Sequence, residues 1–580
     1  MLDLKITGGT VIDGSGAPRV MADVGILDGK VVTIGKVTEA AHRVIDARGK
    51  IVAPGFVDIH THYDAQVLWD PMLTVSPWHG ITTAVMGSCG FGIAPTKASG
   101  RDLILRTLER VEAMSLDALN AGIGPEWPFE TFAEYLDLIE ARGTAINTAV
   151  MIGHTPTRLY VMGKDAVERA ATKDEIARMR AIVFDGIKAG AIAFATSVSQ
   201  VHVGFDGKPV PSRMAAFDEL LALAGAVRDA GSGIIHYNIL REPDFEAFEA
   251  LHHASGATVC WTALLAGQRG PGGHRDILAK SADIAARGLP IFPQTACRPI
   301  VIEYDFRSPV VFDTWKLFEP VRKAATGAAR AQIYTDAGFR QQFRDEVAGR
   351  GKRDQFFSAG SAEGESRRAS WRLTEVSHCA QEPALNGRLV EKIARERGML
   401  PTELILDLAA HDHPPVRFRV PLVNFDEDEV EEILQDPNVV LGLGDGGAHL
   451  SQLCDACYST HLLGHWVRER QALTLERAVH MLSGRTAQVF GLRDRGLLRE
   501  GRAADVVVFD PQTVGAGGLQ RVYDLPAGAD RLISKPLGID AVIVNGTVLP
   551  PPGAAWPAGQ ALPGRLLRNG AARAVFSITA

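Results

Sequence analysis

Apolar and polar residues alternate from the first positions of the chain. Positions 4–12 alternate, Asp13-Gly14 marks a turn, and 24–27 precedes an Asp28-Gly29 hairpin signal that leads into 31–34. This is the pattern of a β meander. The far end of the chain is built alike. There 504–509 reads as one strand, and 541–544 with Thr547-Val548 forms a hairpin around Asn545-Gly546. Two β-rich ends flanking a long middle predict a small β-sandwich built from both termini, which brings the chain ends together.

Eight short apolar runs of strand character lie between those ends, at 51–59, 82–86, 147–152, 191–195, 233–235, 257–261, 290–292 and 439–443. Helical periodicity separates most of them, as at 174–189 and 215–228. Strands alternating with helices predict a parallel sheet, and eight of them predict closure into an α/β, (β/α)₈ TIM-like barrel. One interval breaks the rhythm. The segment of about 298–435, with a charged stretch from Arg340 to Arg372, reads as an insertion between strands seven and eight near the barrel mouth, long enough to cover a site. The expected organisation is sandwich at 1–53, barrel at 54–490, sandwich again at 491–550, and a Pro-, Gly- and Ala-rich extension of low structural specification at 551–580.

Composition narrows the class. The 580 residues, 46% hydrophobic and 22% charged, supply a large core and fit a barrel with accessories. The 61 basic and 68 acidic side chains give a net charge of −7 without long runs, so no basic stripe for nucleic acid is present. Six scattered cysteines do not form a disulfide scaffold. The chain enters a strand pattern at once and has no apolar run of about 18 residues, so neither a leader peptide nor a membrane span is predicted, and a reduced, cytoplasmic protein is expected.

The strongest chemical feature is Pro54-Gly55-Phe56-Val57-Asp58-Ile59-His60-Thr61-His62. An apolar strand ends in two histidines at i and i+2, which share one face of an extended chain. Imidazole is a common zinc ligand, and the C-terminal end of a barrel strand is where catalytic groups sit. Asp445, in Leu443-Gly444-Asp445-Gly446, closes the eighth strand, where a carboxylate can take a proton from water and return it to a leaving group. Its plainer reading is an Asp-Gly turn. Cys454-x-x-Cys457 followed by His461 has no second cysteine pair and reads as helix after strand eight; His411-Asp412-His413 reads as a solvated loop.

These features together resemble the amidohydrolase superfamily. Within it, Met86-Gly87-Ser88-Cys89-Gly90 with Ala94-Pro95 resembles the D-aminoacylase, or N-acyl-D-amino-acid deacylase, family. The resemblance runs over nearly the whole chain and is least familiar at 298–435. It implies that Cys89 stands at the family's metal-bridging cysteine, that His236 in Ile235-His236-Tyr237-Asn238 is a ligand of a second metal, and that the protein is a homo-oligomer. It also exposes departures. Asn238 stands where the family has an arginine, Ala263 where it has a further histidine ligand, Leu265 where a lysine binds the substrate carboxylate, and Phe292-Pro293-Gln294 where it has a tyrosine motif.

The reading that follows is hydrolysis of an amide bond in an N-acylated amine or amino-acid derivative. The cofactor is zinc or another divalent ion, one or two per chain, held by His60, His62, Cys89, His236 and Asp445; it lowers the pKa of water towards about 7, and Asp445 acts as general base and acid. His154 and Arg158, after strand three, and Arg298 are candidate contacts for an acidic substrate group. A small acylated molecule is the expected partner, with neither nucleic acid nor membrane. The alternatives are a hydrolase of a cyclic amide or ester with the same metal centre, and a barrel without catalysis that serves binding or assembly.

Overall fold

A computed structural model describes residues 1–239, 242–312, 315–349, 371–411 and 414–572. It divides into two compact units, one of residues 1–264, 277–297 and 434–580, the other of residues 265–276 and 298–433.

The first unit contains an eight-stranded parallel sheet. Its strands are β1 (Phe56–Thr61), β2 (Ile81–Met86), β3 (Asn147–Gly153), β4 (Ala193–Ser197), β5 (Ile234–Asn238), β6 (Val259–Thr262), β7 (Ile291–Thr295) and β8 (Val440–Leu441), each bonded to the next. The chain beyond β8 closes the ring: Thr61 bridges Gly446 in parallel, His62 N–H donates to the Gly446 carbonyl at 2.7 Å, and Asp445 N–H donates to the His60 carbonyl at 3.0 Å. The last contacts of the barrel thus join the two strand ends that carry the candidate chemistry. Inside, Val85, Ala149, Met151, Ala193, Ala195, Ile234 and Cys260 belong to one buried cluster, the filled interior expected of such a barrel.

Helices follow the strands for reasons visible in the chain. Lys173–Ala189 starts at Thr172, whose side chain accepts from the Glu175 N–H while Glu175 reaches back to the Thr172 N–H, and it stops at Gly190. Such a box satisfies two otherwise orphaned donors. Met179, Val183, Gly186 and Ile187 form its buried stripe.

The apolar run 51–59 is two strands. Ile51–Pro54 lies antiparallel to Val506–Phe509 in the terminal sheet, whereas Phe56–Thr61 opens the barrel. Gly55 is the joint, and a Cβ there would stand 2.1 Å from Thr82 Oγ1, so no larger residue fits. The terminal sheet also has eight strands and interleaves both chain ends, with Leu4, Ile6, Val24, Ile26, Val506, Val508 and Ile543 in its core. A separate hairpin pairs Gly515–Val522 with Arg531–Leu537.

More of the C-terminal extension is ordered than its composition suggests. Gly564 N–H donates to Thr144 and Thr148 N–H to Arg565, while Leu567 is fully buried in the barrel cluster. Backbone bonding, which composition does not report, places it; residues 573–580 lie outside the described residues.

The second unit has its own antiparallel sheet, in the order Ile300–Asp305, Arg417–Val423, Glu375–His378, Arg388–Leu389. Tyr304, Phe306, Phe312, Trp315, Phe318 and Phe343 build its core. The charged stretch that begins at Arg340 contributes Phe343, which is fully buried. Among the described residues no helix is long and apolar enough to cross a membrane.

Candidate metal centre

The ladder between β1 and β2 is irregular from Asp58 to Thr61, a break of the kind that re-aims side chains at barrel rims. There the His60 and His62 rings stand 5.4 Å apart, centroid to centroid. Cys89 follows β2 in a loop between Gly87 and Gly90, and Cβ atoms at those glycines would come within 2.6 Å of the Met151 carbonyl and 2.5 Å of the Ala195 carbonyl. Cys89 itself is held at φ 57°. A non-glycine residue in the left-handed region is uncommon and concentrates at functional sites, which sets this thiol apart from an ordinary buried cysteine.

Among the described residues, His60, His62 and Cys89 are the only group of three or more such side chains placed to hold a metal ion, with ligand atoms within 4.8 Å of one another. Asp445, also at positive φ, brings Oδ1 to 3.4 Å from His60 Nε2 and 3.8 Å from His62 Nε2. His60 Nε2 lies 3.5 Å from Cys89 Sγ, and Asn238 Nδ2 donates to that sulfur at 2.9 Å. His236 is wholly buried with both ring nitrogens unpartnered, its ring centroid 5.2 Å from that of His60. It faces the cluster without belonging to the group of three.

Burial dominates the electrostatics of the cluster. Burial drives His60 down to about 3 and His236 well below the usual imidazole range, so both stay neutral, as metal ligands must. Burial also pushes the Cys89 thiol up, and a bound metal is the partner that would hold it as thiolate. For His62, burial acts downward, but Glu112 and Cys89 more than reverse it and raise the ring well above its ordinary value. Asp58, buried under the site, is pushed up to about 8 by desolvation. Neutral imidazole nitrogens and a buried sulfur are the kind of donors that a zinc-type ion takes.

Other expected residues are placed differently. His154 and Arg158 are fully buried: His154 bonds Thr196 Oγ1 at 2.8 Å and Glu219 Oε1 at 2.8 Å, while Arg158 pairs with Glu219 and donates to the Arg169 carbonyl at 3.0 Å. This internal network engages the groups that the sequence offered as substrate contacts, and Glu219, about sixty residues away, is what the local motif does not reveal. Arg298 belongs to the second unit, where its carbonyl accepts from Asn424 Nδ2. Cys454 and Cys457 are buried, with Cys457 Sγ donating to the Cys454 carbonyl. Asp412 and His413 lie outside the described residues.

Three partners escape sequence reasoning. Gln294 Oε1 stands 3.0 Å from His60 Nδ1, Glu112 Oε1 3.0 Å from His62 Nδ1, and Asp64 Oδ2 accepts from Gly87 N–H at 2.9 Å. In the sequence Gln294 stands out only as a departure from a tyrosine motif. Its even spacing from Phe292 on an apolar strand is the available sign that it points inward.

Comparison with known proteins places the chain in a family. A family model described as Amidohydrolase family matches residues 43–550. D-aminoacylase of Alcaligenes xylosoxydans xylosoxydans is 29% identical over 549 residues, 94% of this chain and 93% of that protein. N-acyl-D-glutamate deacylase of the same organism is 30% identical over 578 residues, 98% of this chain and 97% of that one. The structure of N-acyl-D-glutamate deacylase from Bordetella bronchiseptica, complexed with zinc and a phosphonate inhibitor, superposes with a TM-score of 0.65 at 27% identity, covering 98% of this chain and 99% of that chain. The chain belongs to the amidohydrolase family, and it is a metal-dependent hydrolase of that family.

Proposed function

We propose that the protein hydrolyses the amide bond of an N-acylated amine or amino-acid derivative, with His60, His62, Cys89 and Asp445 holding zinc and His236 available to a second ion. The observation that carries this reading is the approach of the Asp445 carboxylate to both histidines on the face that Cys89 shares. When bound, the metal supplies Lewis-acid polarisation of the scissile carbonyl and acidifies water. Asp445 accepts the proton released as water attacks and returns it to the leaving nitrogen, general base and then general acid. Gln294 holds His60 by Nδ1, leaving Nε2 for the site.

The departures bear on stoichiometry and substrate. Ala263, 2% exposed at the end of β6, offers no ligand atom, and Leu265 offers no cation. A D-aminoacylase structure is described in terms of a binuclear metal centre with one-metal activation and second-metal attenuation. A sparsely furnished second position here is compatible with hydrolysis. An unpaired carboxylate entering an apolar site is costly, so the favoured substrates are acyl amides that lack a free carboxylate beside the scissile bond.

Steady-state kinetics on paired substrates tests this. N-acyl amino-acid amides and simple acyl amines are expected to show kcat/KM at least about tenfold above the matching free N-acetyl-D-amino acids, since a charge-assisted contact is worth roughly 1.5–3 kcal/mol. High efficiency on the free acids would mean that another cation meets the carboxylate.

A further inference from the structure

We propose that Glu112 is a positioning residue for the metal centre, a carboxylate that holds the His62 imidazole with Nε2 turned towards His60, Cys89 and Asp445. The inference rests on the metal reading given above. Glu112 is the last residue of the helix Arg101–Glu112, and a helix end is an unusual place for a buried carboxylate, because the terminal carbonyls already carry negative partial charge. It is nevertheless 3% exposed, with Oε1 3.0 Å from His62 Nδ1.

Neither atom is otherwise supported. His62 Nδ1 and Glu112 Oε1 are both buried and neither bonds any other group, so the 3.0 Å contact between them is the one each has. Both residues line a small cavity whose other walls include Phe91, Leu108, Met114 and Leu119. Asp64, the other acidic residue in the lining, accepts from the Gly87 N–H, and the apolar walls offer no donor, so His62 is the lining group that answers Glu112. The second nitrogen of the ring, Nε2, is the one that faces Asp445.

The chemistry of this pair is specific. A ligating histidine that gives its other N–H to a carboxylate is fixed in tautomer and orientation and becomes a stronger donor to the metal. His60 has the same arrangement with a neutral amide, Gln294, at its Nδ1. The two rings of one motif are thus braced by side chains of different charge, and the charged brace belongs to His62.

The test is zinc affinity by chelator competition, with thermal melting of the metal-free protein measured in parallel. Glu112→Gln keeps an acceptor oxygen without the charge and is expected to bind zinc about 10-fold more weakly than the unaltered protein. Glu112→Leu removes the acceptor and is expected to approach about 100-fold, the range for loss of such a partner. Metal-free melting should change little for Glu112→Gln. If Glu112→Leu fails to fold, the near-isosteric Gln variant decides. Folded variants with unaltered zinc affinity would overturn the proposal, and so would a drop in metal-free melting with affinity unchanged, which marks a purely structural role. An unaltered protein that takes up no zinc would overturn the metal reading itself.

Discussion

Asp445→Asn is expected to fold and to retain metal while losing turnover by about 10²–10⁴-fold, the usual worth of general acid–base catalysis. The substitution suits the backbone. Asp445 sits at φ 46°, and asparagine tolerates the left-handed region as well as aspartate does. Its N–H bond to the His60 carbonyl, which helps to close the barrel, does not depend on the side chain. The change therefore removes proton transfer and weakens one ligand without disturbing the strand ends. Rates on the best acyl amide, read beside zinc content, check it. Near-normal turnover would reduce Asp445 to the Asp-Gly turn its sequence also permits.

Cys89→Ala is expected to act on metal first and on rate through it. Alanine carries a Cβ as cysteine does, so the left-handed backbone at this position is no more strained. Asn238 Nδ2 loses its sulfur acceptor, a modest effect beside the loss of a ligand. Removing an outer partner costs about 10–100-fold in metal affinity, and removing the thiolate itself should exceed that, with turnover falling in parallel. Chelator competition against the unaltered protein provides the measurement. Zinc retained at full affinity would make Cys89 a small buried apolar residue, the common fate of a free thiol.

The site is legible in the chain wherever its chemistry lies at strand ends. His60 and His62 stand out because an apolar run stops at them, and Asp445 because glycines flank it after another such run. The β-rich ends and the parallel barrel follow from periodicity for the same reason: backbone pairing and side-chain alternation are local. What stays hidden depends on contacts far apart in sequence. The run 51–59 looks continuous because both its halves are apolar, and only Thr82 against Gly55 shows why the chain must turn there. His154 and Arg158 look free for substrate because Glu219 lies on a later helix. Glu112 and Gln294 brace the two ligand rings from elements with no motif of their own, so a sequence pattern gives no reason to join them to His62 and His60.

Hydrolysis at a metal held by His60, His62 and Cys89, with Asp445 beside it, is the central claim. Its most direct test is release of amine from a panel of N-acylated amines and amino-acid amides by protein stripped of metal and then titrated with zinc. No release is expected from the stripped protein, followed by a rise to a plateau between one and two equivalents of zinc. Release unaffected by stripping, or a folded protein that takes up zinc yet cleaves nothing in the panel, would contradict the claim.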